Sequence, residues 1–275
     1  MTAVGTAERG ARRATHNRVL VGLTRMGFIG YGVLHLAVAW IAVQIALGDG
    51  GEEGDQAGAF RALAGQPFGR FILVSTIVGL AAMAIWQVLL AGFGHREKRG
   101  AGLVFERVAS GARAVVYTAL AYTAGKVVAG APASSAEQQQ HATAGVMAKP
   151  AGVWLVGLAG LVVFAIGVGM IWYGAKRQFE QKLMLGAMSP RTRTVARWLG
   201  KIGYIAKGSA FGIVGLLLVD AAVTNDPGKS RGLDAALRTL VQQPYGEALL
   251  IAVGVGFAAF GVYCFLQSRF RKMGT

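Results

Sequence analysis

Apolar and polar positions along this chain do not alternate in the period-two pattern of half-buried strands; they gather into long apolar blocks separated by short polar connections. Phe71 to Leu90 and Ala151 to Ala175 contain no charged residue, and Met26 to Gly48 contains none apart from the ionisable His35. Blocks of this length match the roughly 20 helical residues that cross a hydrocarbon core about 30 Å thick. Three further blocks, around 109–130, 203–223 and 246–268, complete a set of six. Backbone amides in lipid must be satisfied within the segment or in a closed barrel, and continuous rather than alternating apolar runs predict helices. The expected fold is an all-α integral membrane protein with six transmembrane helices.

Those helices are written as a repeat. Without gaps, "RMGFIGYGVLHLAVAWIAVQ" (25–44) lies over "RVASGARAVVYTALAYTAGK" (107–126) and "KIGYIAKGSAFGIVGLLLVD" (201–220), at offsets of 82 and 176. A phrase before each second helix recurs as "GQPFGRFIL" (65–73), "AKPAGVWLV" (148–156) and "QQPYGEALL" (242–250). Each unit is therefore two helices and one connection, written three times. The spacing predicts repeat 1 over 23–96, repeat 2 over 105–183 and repeat 3 over 195–272 in a single domain, 23–275, behind a disordered basic tail, 1–22. Two helices per unit make the repeats parallel, which implies a pseudo-threefold axis along the membrane normal and not an inverted pair. Pro67, Pro150 and Pro244 suit the first turn of the second helices. Leu233, Leu237, Leu240 and Val241 predict an amphipathic surface helix before one copy, with a shorter version at 59–66.

"ARA" (112–114) and "AKG" (206–208) opening odd helices, together with "QPFG" or "QPYG" opening even ones, resemble the bacterial membrane family catalogued as domain of unknown function 1206. The likeness covers nearly the whole chain after about residue 20. It departs in the first unit, where Tyr31 stands in place of the basic residue. The resemblance implies the repeated architecture and carries no activity.

Composition agrees with a bilayer: 54% of residues are hydrophobic and 15% charged, against about a quarter charged in soluble domains. The net charge of +15 is concentrated in the tail (Arg9, Arg12, Arg13), the connections holding Arg96 to Arg107 and Lys176 to Lys201, and the C-terminus. Alternate connections are basic, while the first holds Asp49, Glu52, Glu53 and Asp55. The positive-inside rule then places both termini in the cytoplasm, at a bacterial plasma membrane. Cations spread over four edges with little aromatic interleaving point to anionic membrane lipids, with a partner membrane protein as another occupant, and away from nucleic acid. The basic start lacks a small-residue cleavage site and predicts a retained first helix. Cys264 stands alone, so there is no disulfide framework.

The repeat isolates two polar layers. The inner one holds Tyr31, Arg113 and Lys207; the outer holds Gln44, Lys126 and Asp220, thirteen residues and about 20 Å further along each odd helix. Charged residues within spans are costly and are candidates for function. The inner cations have three readings: snorkelling to headgroups, an anion or lipid-headgroup site, and a packing ion pair. In the outer layer, Lys126 and Asp220 would pair if odd helices cluster, or else stand in the wet interface. His35 aligns with Tyr117 and Phe211, which favours a packed, hydrogen-bonded histidine over a metal or haem ligand. No phosphate loop, HExxH, CxxC or GxSxG pattern occurs, and "GDGGEEGD" lacks EF-hand spacing and is expected to be a solvated acidic loop. No catalytic residue, metal or cofactor is therefore expected. The leading function is a non-enzymatic membrane module that binds lipid or a partner protein; the alternative is solute or ion permeation along the axis.

Overall fold

The computed structural model describes residues 18–48, 51–94 and 99–272. Among them the chain forms nine α-helices: α1 (Arg18–Ala46), α2 (Gln56–Ala64), α3 (Gly69–Phe93), α4 (Ala101–Val128), α5 (Ser135–Met147), α6 (Gly152–Ala175), α7 (Pro190–Thr224), α8 (Gly232–Val241) and α9 (Gly246–Phe270). Short 3₁₀ segments follow at Gln178–Lys182, Leu185–Ala187 and Pro227–Ser230. No strand occurs among the described residues, where one antiparallel bridge joins Leu183 to Arg271.

Five helices, α1, α3, α6, α7 and α9, are long and apolar enough to cross a membrane. The remaining long helix, α4, has 28 residues, but alanine, glycine, threonine and Arg113 dilute its hydropathy. Two helix starts differ from expectation. The disordered tail predicted for 1–22 is interrupted by α1, which begins at Arg18; residues 1–17 lie outside the described residues. Helix α7 begins at Pro190, well before the apolar block at 203, because the Ser189 hydroxyl accepts from the Thr192 amide and Pro190 stands in the first turn.

The long helices pack in the order α4, α3, α1, α9, α7, α6. This order alternates first and second helices of the repeats. Five of the six neighbouring pairs in such a ring are closely packed; among the described residues no comparable contact joins α4 to α6, the two helices of the middle repeat. The close crossings depend on glycine. A Cβ on Gly27 would stand 2.4 Å from the carbonyl oxygen of Gly79, joining α1 to α3, and one on Gly167 would stand 2.6 Å from the Gly212 nitrogen, joining α6 to α7.

The repeated Pro-Gly phrase is a turn and not a helix start. Gly69, Gly152 and Gly246 each donate their amide to the carbonyl three residues back, on Gln66, Lys149 and Gln243, at 2.8–2.9 Å. Proline takes the second place of the turn, and the third residue is left-handed: Phe68, Ala151 and Tyr245 have φ of 61°, 59° and 61°. Proline followed by positive φ is the type II arrangement. The helix therefore begins two residues after the proline.

At this end α2, α5 and α8 form a polar cap that ties the three repeats together. Asp234 Oδ1 accepts from the Gly54 amide at 2.8 Å and pairs with Arg238 at 2.9 Å. Arg61 pairs with Glu52 at 3.0 Å and Glu53 at 3.4 Å, and also donates to the Ala133 carbonyl. The Ser134 hydroxyl donates to Glu53 at 2.6 Å. The acidic loop is thus a structural joint where a solvated loop was expected; Asp49 lies outside the described residues. Asp55 is fully buried and caps α2 through the amides of Ala57 and Gly58. Burial pushes its carboxyl upward, against the pull of those two amides.

A tyrosine-lined basic chamber beside an open seam

The inner layer converges. Tyr31 on α1 and Lys207 on α7 occupy equivalent repeat positions, and the Lys207 ammonium donates to the Tyr31 hydroxyl at 2.6 Å. It also lies 4.8 Å from the Tyr31 ring and 4.4 Å from the Phe260 ring of α9. Lys207 is therefore turned into the bundle, away from the snorkelling path. Tyr31 and Lys207 are partly exposed despite this inward direction, and the region that their polar ends share is the chamber.

Around them stand further aromatics. Tyr117 of α4 meets Tyr31 edge-on at 5.6 Å, and Tyr204 of α7 meets Tyr173 of α6 at 4.9 Å and Phe260 at 5.3 Å. His35 donates through Nδ1 to the Tyr31 carbonyl, 2.8 Å away, so Nδ1 carries the proton. Its ring is buried against Tyr31 at 4.3 Å and Phe260 at 4.8 Å. The described residues contain no cluster of three or more His, Cys, Asp or Glu fit to hold a metal ion.

Arg113, the third inner-layer residue, lies near enough for its charge to act at Tyr117, Tyr173 and Lys182. Lys182 arrives from the segment after α6. Phe179 and Leu183, 1% and 2% exposed, anchor that segment beneath the bundle. Met184 donates to the Phe270 carbonyl at 2.8 Å and Lys272 to the Lys182 carbonyl at 3.0 Å, fixing it to the C-terminus. The Lys182 ammonium then stands 3.6 Å from Glu106 of α4, an ion pair bridging the side where α4 and α6 do not pack. Burial, reinforced by Arg113, brings the Lys182 amine down to about 8, against the attraction of Glu106. Arg271 sits 5.0 Å from the Phe28 ring and 5.3 Å from the Trp86 ring. The charges acting on Lys182 and Tyr117 are thus Arg113, Arg271, Lys207 and Glu106, with cations in excess.

The outer layer does not form a comparable centre. Asp220 pairs with Lys229 at 2.7 Å, and of the two readings the pairing with Lys126 is not made among the described residues. The reason is local: Asn225, with φ 54°, reverses the chain after α7 and returns Lys229 over the helix end. Gln44 and Lys126 are partly buried on their own helices. Sequence reasoning missed Glu106, Lys182, Arg271 and the tyrosine lining. One signal was present: Tyr31 with His35, Arg113 with Tyr117 and Lys207 with Phe211 form a polar-aromatic pair four residues apart in each odd helix, on one face.

The family model described as Domain of Unknown Function (DUF1206) matches three consecutive segments of the chain, residues 26–94, 108–177 and 202–271. The chain is also similar to "Uncharacterized protein YxxB" of Bacillus subtilis (strain 168), with 31% identity over 256 residues that cover 90% of each chain. No solved structure matches it.

Proposed function

We propose that this chain, which belongs to the DUF1206 family, is a non-enzymatic membrane module that binds the headgroup of an anionic lipid in its basic chamber. The observation that carries this reading is the convergence of Lys207 on Tyr31, with the Arg113 charge acting at neighbouring Tyr117 and no carboxylate bound to either cation among the described residues. A cation turned into a helix bundle without a carboxylate partner favours an anionic guest. The unpacked side between α4 and α6 gives that guest a lateral route from the bilayer.

The same reading gives the protein six crossings about a pseudo-threefold axis in a bacterial plasma membrane, with both termini cytoplasmic. Its support is the alternating packing order and the length of α4, about 42 Å for 28 helical residues. Permeation along the axis finds less support. Beyond the chamber the interior is occupied by Leu34, Val38, Ile41 and Phe257, each 3% exposed or less.

Native mass spectrometry of protein extracted gently from its membrane tests the proposal. A defined anionic lipid should be retained and then lost in an Arg113→Ala, Lys207→Ala double variant that still folds. Equal retention in the variant would remove the chamber as its site, and retention of a protein chain in place of lipid would assign the seam to a partner membrane protein.

A further inference from the structure

A second cationic site lies outside the chamber, where α6 ends and α7 begins. A cavity of about 380 Å³ is lined there by Ala175, Arg177, Thr194, Arg197, Trp198 and Lys201. Three cations therefore surround it. Arg197 Nε bonds one oxygen of Glu180 at 3.1 Å, and Arg177 Nε stands 4.0 Å from the other. That single carboxylate holds the Arg197 guanidinium through its Nε, lies beside that of Arg177, and leaves their terminal N–H donors, together with the Lys201 ammonium, for a further anion. With one negative charge against three positive ones, the groove keeps a positive excess.

The surroundings indicate what that anion is attached to. Trp198 and Trp172 are each 59% exposed, with Lys201 5.6 Å from the Trp198 ring and Lys176 4.8 Å from the Trp172 ring. Exposed tryptophans beside lysines mark the headgroup level of a bilayer. From this level the outer surface continues as Val168 on α6 and Ile202 on α7, 49% and 41% exposed. A charged hollow joined to an apolar strip is complementary to an amphiphile. We infer that the groove between the end of α6 and the start of α7 binds the phosphate of an anionic phospholipid, whose acyl chains lie along the exposed apolar surface of those two helices. The groove shares no lining residue with the chamber, so the inference is independent of the function proposed for it.

The test is native mass spectrometry of the full chain released from mixed phosphatidylcholine and phosphatidylglycerol vesicles. Phosphatidylglycerol affinity is expected to fall about tenfold or more in Arg177→Gln, Arg197→Gln, Lys201→Gln, through loss of charge-assisted contacts. The substitution Thr194→Glu should weaken it in the same direction while leaving the Glu180 pairs in place, which guards against a misfolded triple variant. Repeating the measurement in the Arg113→Ala, Lys207→Ala background isolates the groove from the chamber. Unchanged phosphatidylglycerol affinity in both groove variants would overturn the inference, as would equal retention of phosphatidylcholine. Displacement by inorganic phosphate as effective as by phosphatidylglycerol would overturn the lipid assignment in favour of free phosphate.

Discussion

Ala151 holds a backbone conformation that its side chain disfavours. Its φ of 59° is the left-handed value that the third place of the turn demands, and L-residues other than glycine bear roughly 1–2 kcal/mol there. Phe68 and Tyr245 bear the same strain but project aromatic side chains that are 83% and 87% exposed, at a level suited to the membrane interface. Alanine has no such role. Ala151→Gly should therefore stabilise the protein by about 0.5–1 kcal/mol, after allowing for the added freedom of glycine in the unfolded chain. That corresponds to a rise of roughly 1–4 °C in the thermal midpoint in detergent; a fall would sink the strain argument. Gly152→Ala should do the reverse, because its Cβ would lie 1.8 Å from the Val146 carbonyl oxygen. The recurrence of proline and glycine was legible in the sequence. The turn type was not, since phenylalanine, alanine and tyrosine stand where glycine or asparagine would have signalled positive φ.

Among the elements, the 3₁₀ segment Gln178–Lys182 has the most consequence for the chamber. It has no helical period, and its placement depends on long-range contacts with α4 and the C-terminus, so sequence pattern did not reveal it. Its lysine supplies a pH test. The unfolded amine titrates near 10.4, whereas the folded one has fallen to about 8, chiefly through burial. Between these values the unfolded chain binds more protons, so this group makes stability rise with pH across the window and adds no slope below it. Lys182→Met should lack that rise. Midpoints of the native protein and the variant should hold a constant difference up to about pH 8, then shift in favour of the native protein toward pH 10; a difference that never changes would refute the assignment. The cap helices show the same division between legible and hidden features. The leucine spacing foretold α8, whereas α5 buries only Ala136 and Thr143 and left no apolar stripe to read.

For the whole molecule, the repeat itself was legible in the sequence, but neither the packing order of the helices nor the opening in it was. Each repeat has small residues, and sequence alone does not say which neighbour they meet. Gly160 and Gly167 of α6 both make their close approaches to α7, at Gly215 and at Gly212, whereas Gly157 meets nothing nearer than 3.6 Å and Gly169 nothing within 4 Å. The glycine-mediated crossings of α6 are thereby directed to one side, and its other side is left to lipid or a guest. The seam has meaning only if α4 itself crosses the membrane, and that is the point on which its hydropathy is weakest. Five crossings would put the cap connections of repeat 1 and repeat 3 on opposite faces; six would put them on one face. Single cysteines at Gln66, Ala131 and Gly228, in a Cys264→Ala background, should all react with an impermeant thiol reagent added to intact cells. A cysteine at Gly186 should react only after lysis. Labelling of Gln66→Cys and Gly228→Cys from opposite faces would remove α4 from the membrane and the lateral route with it.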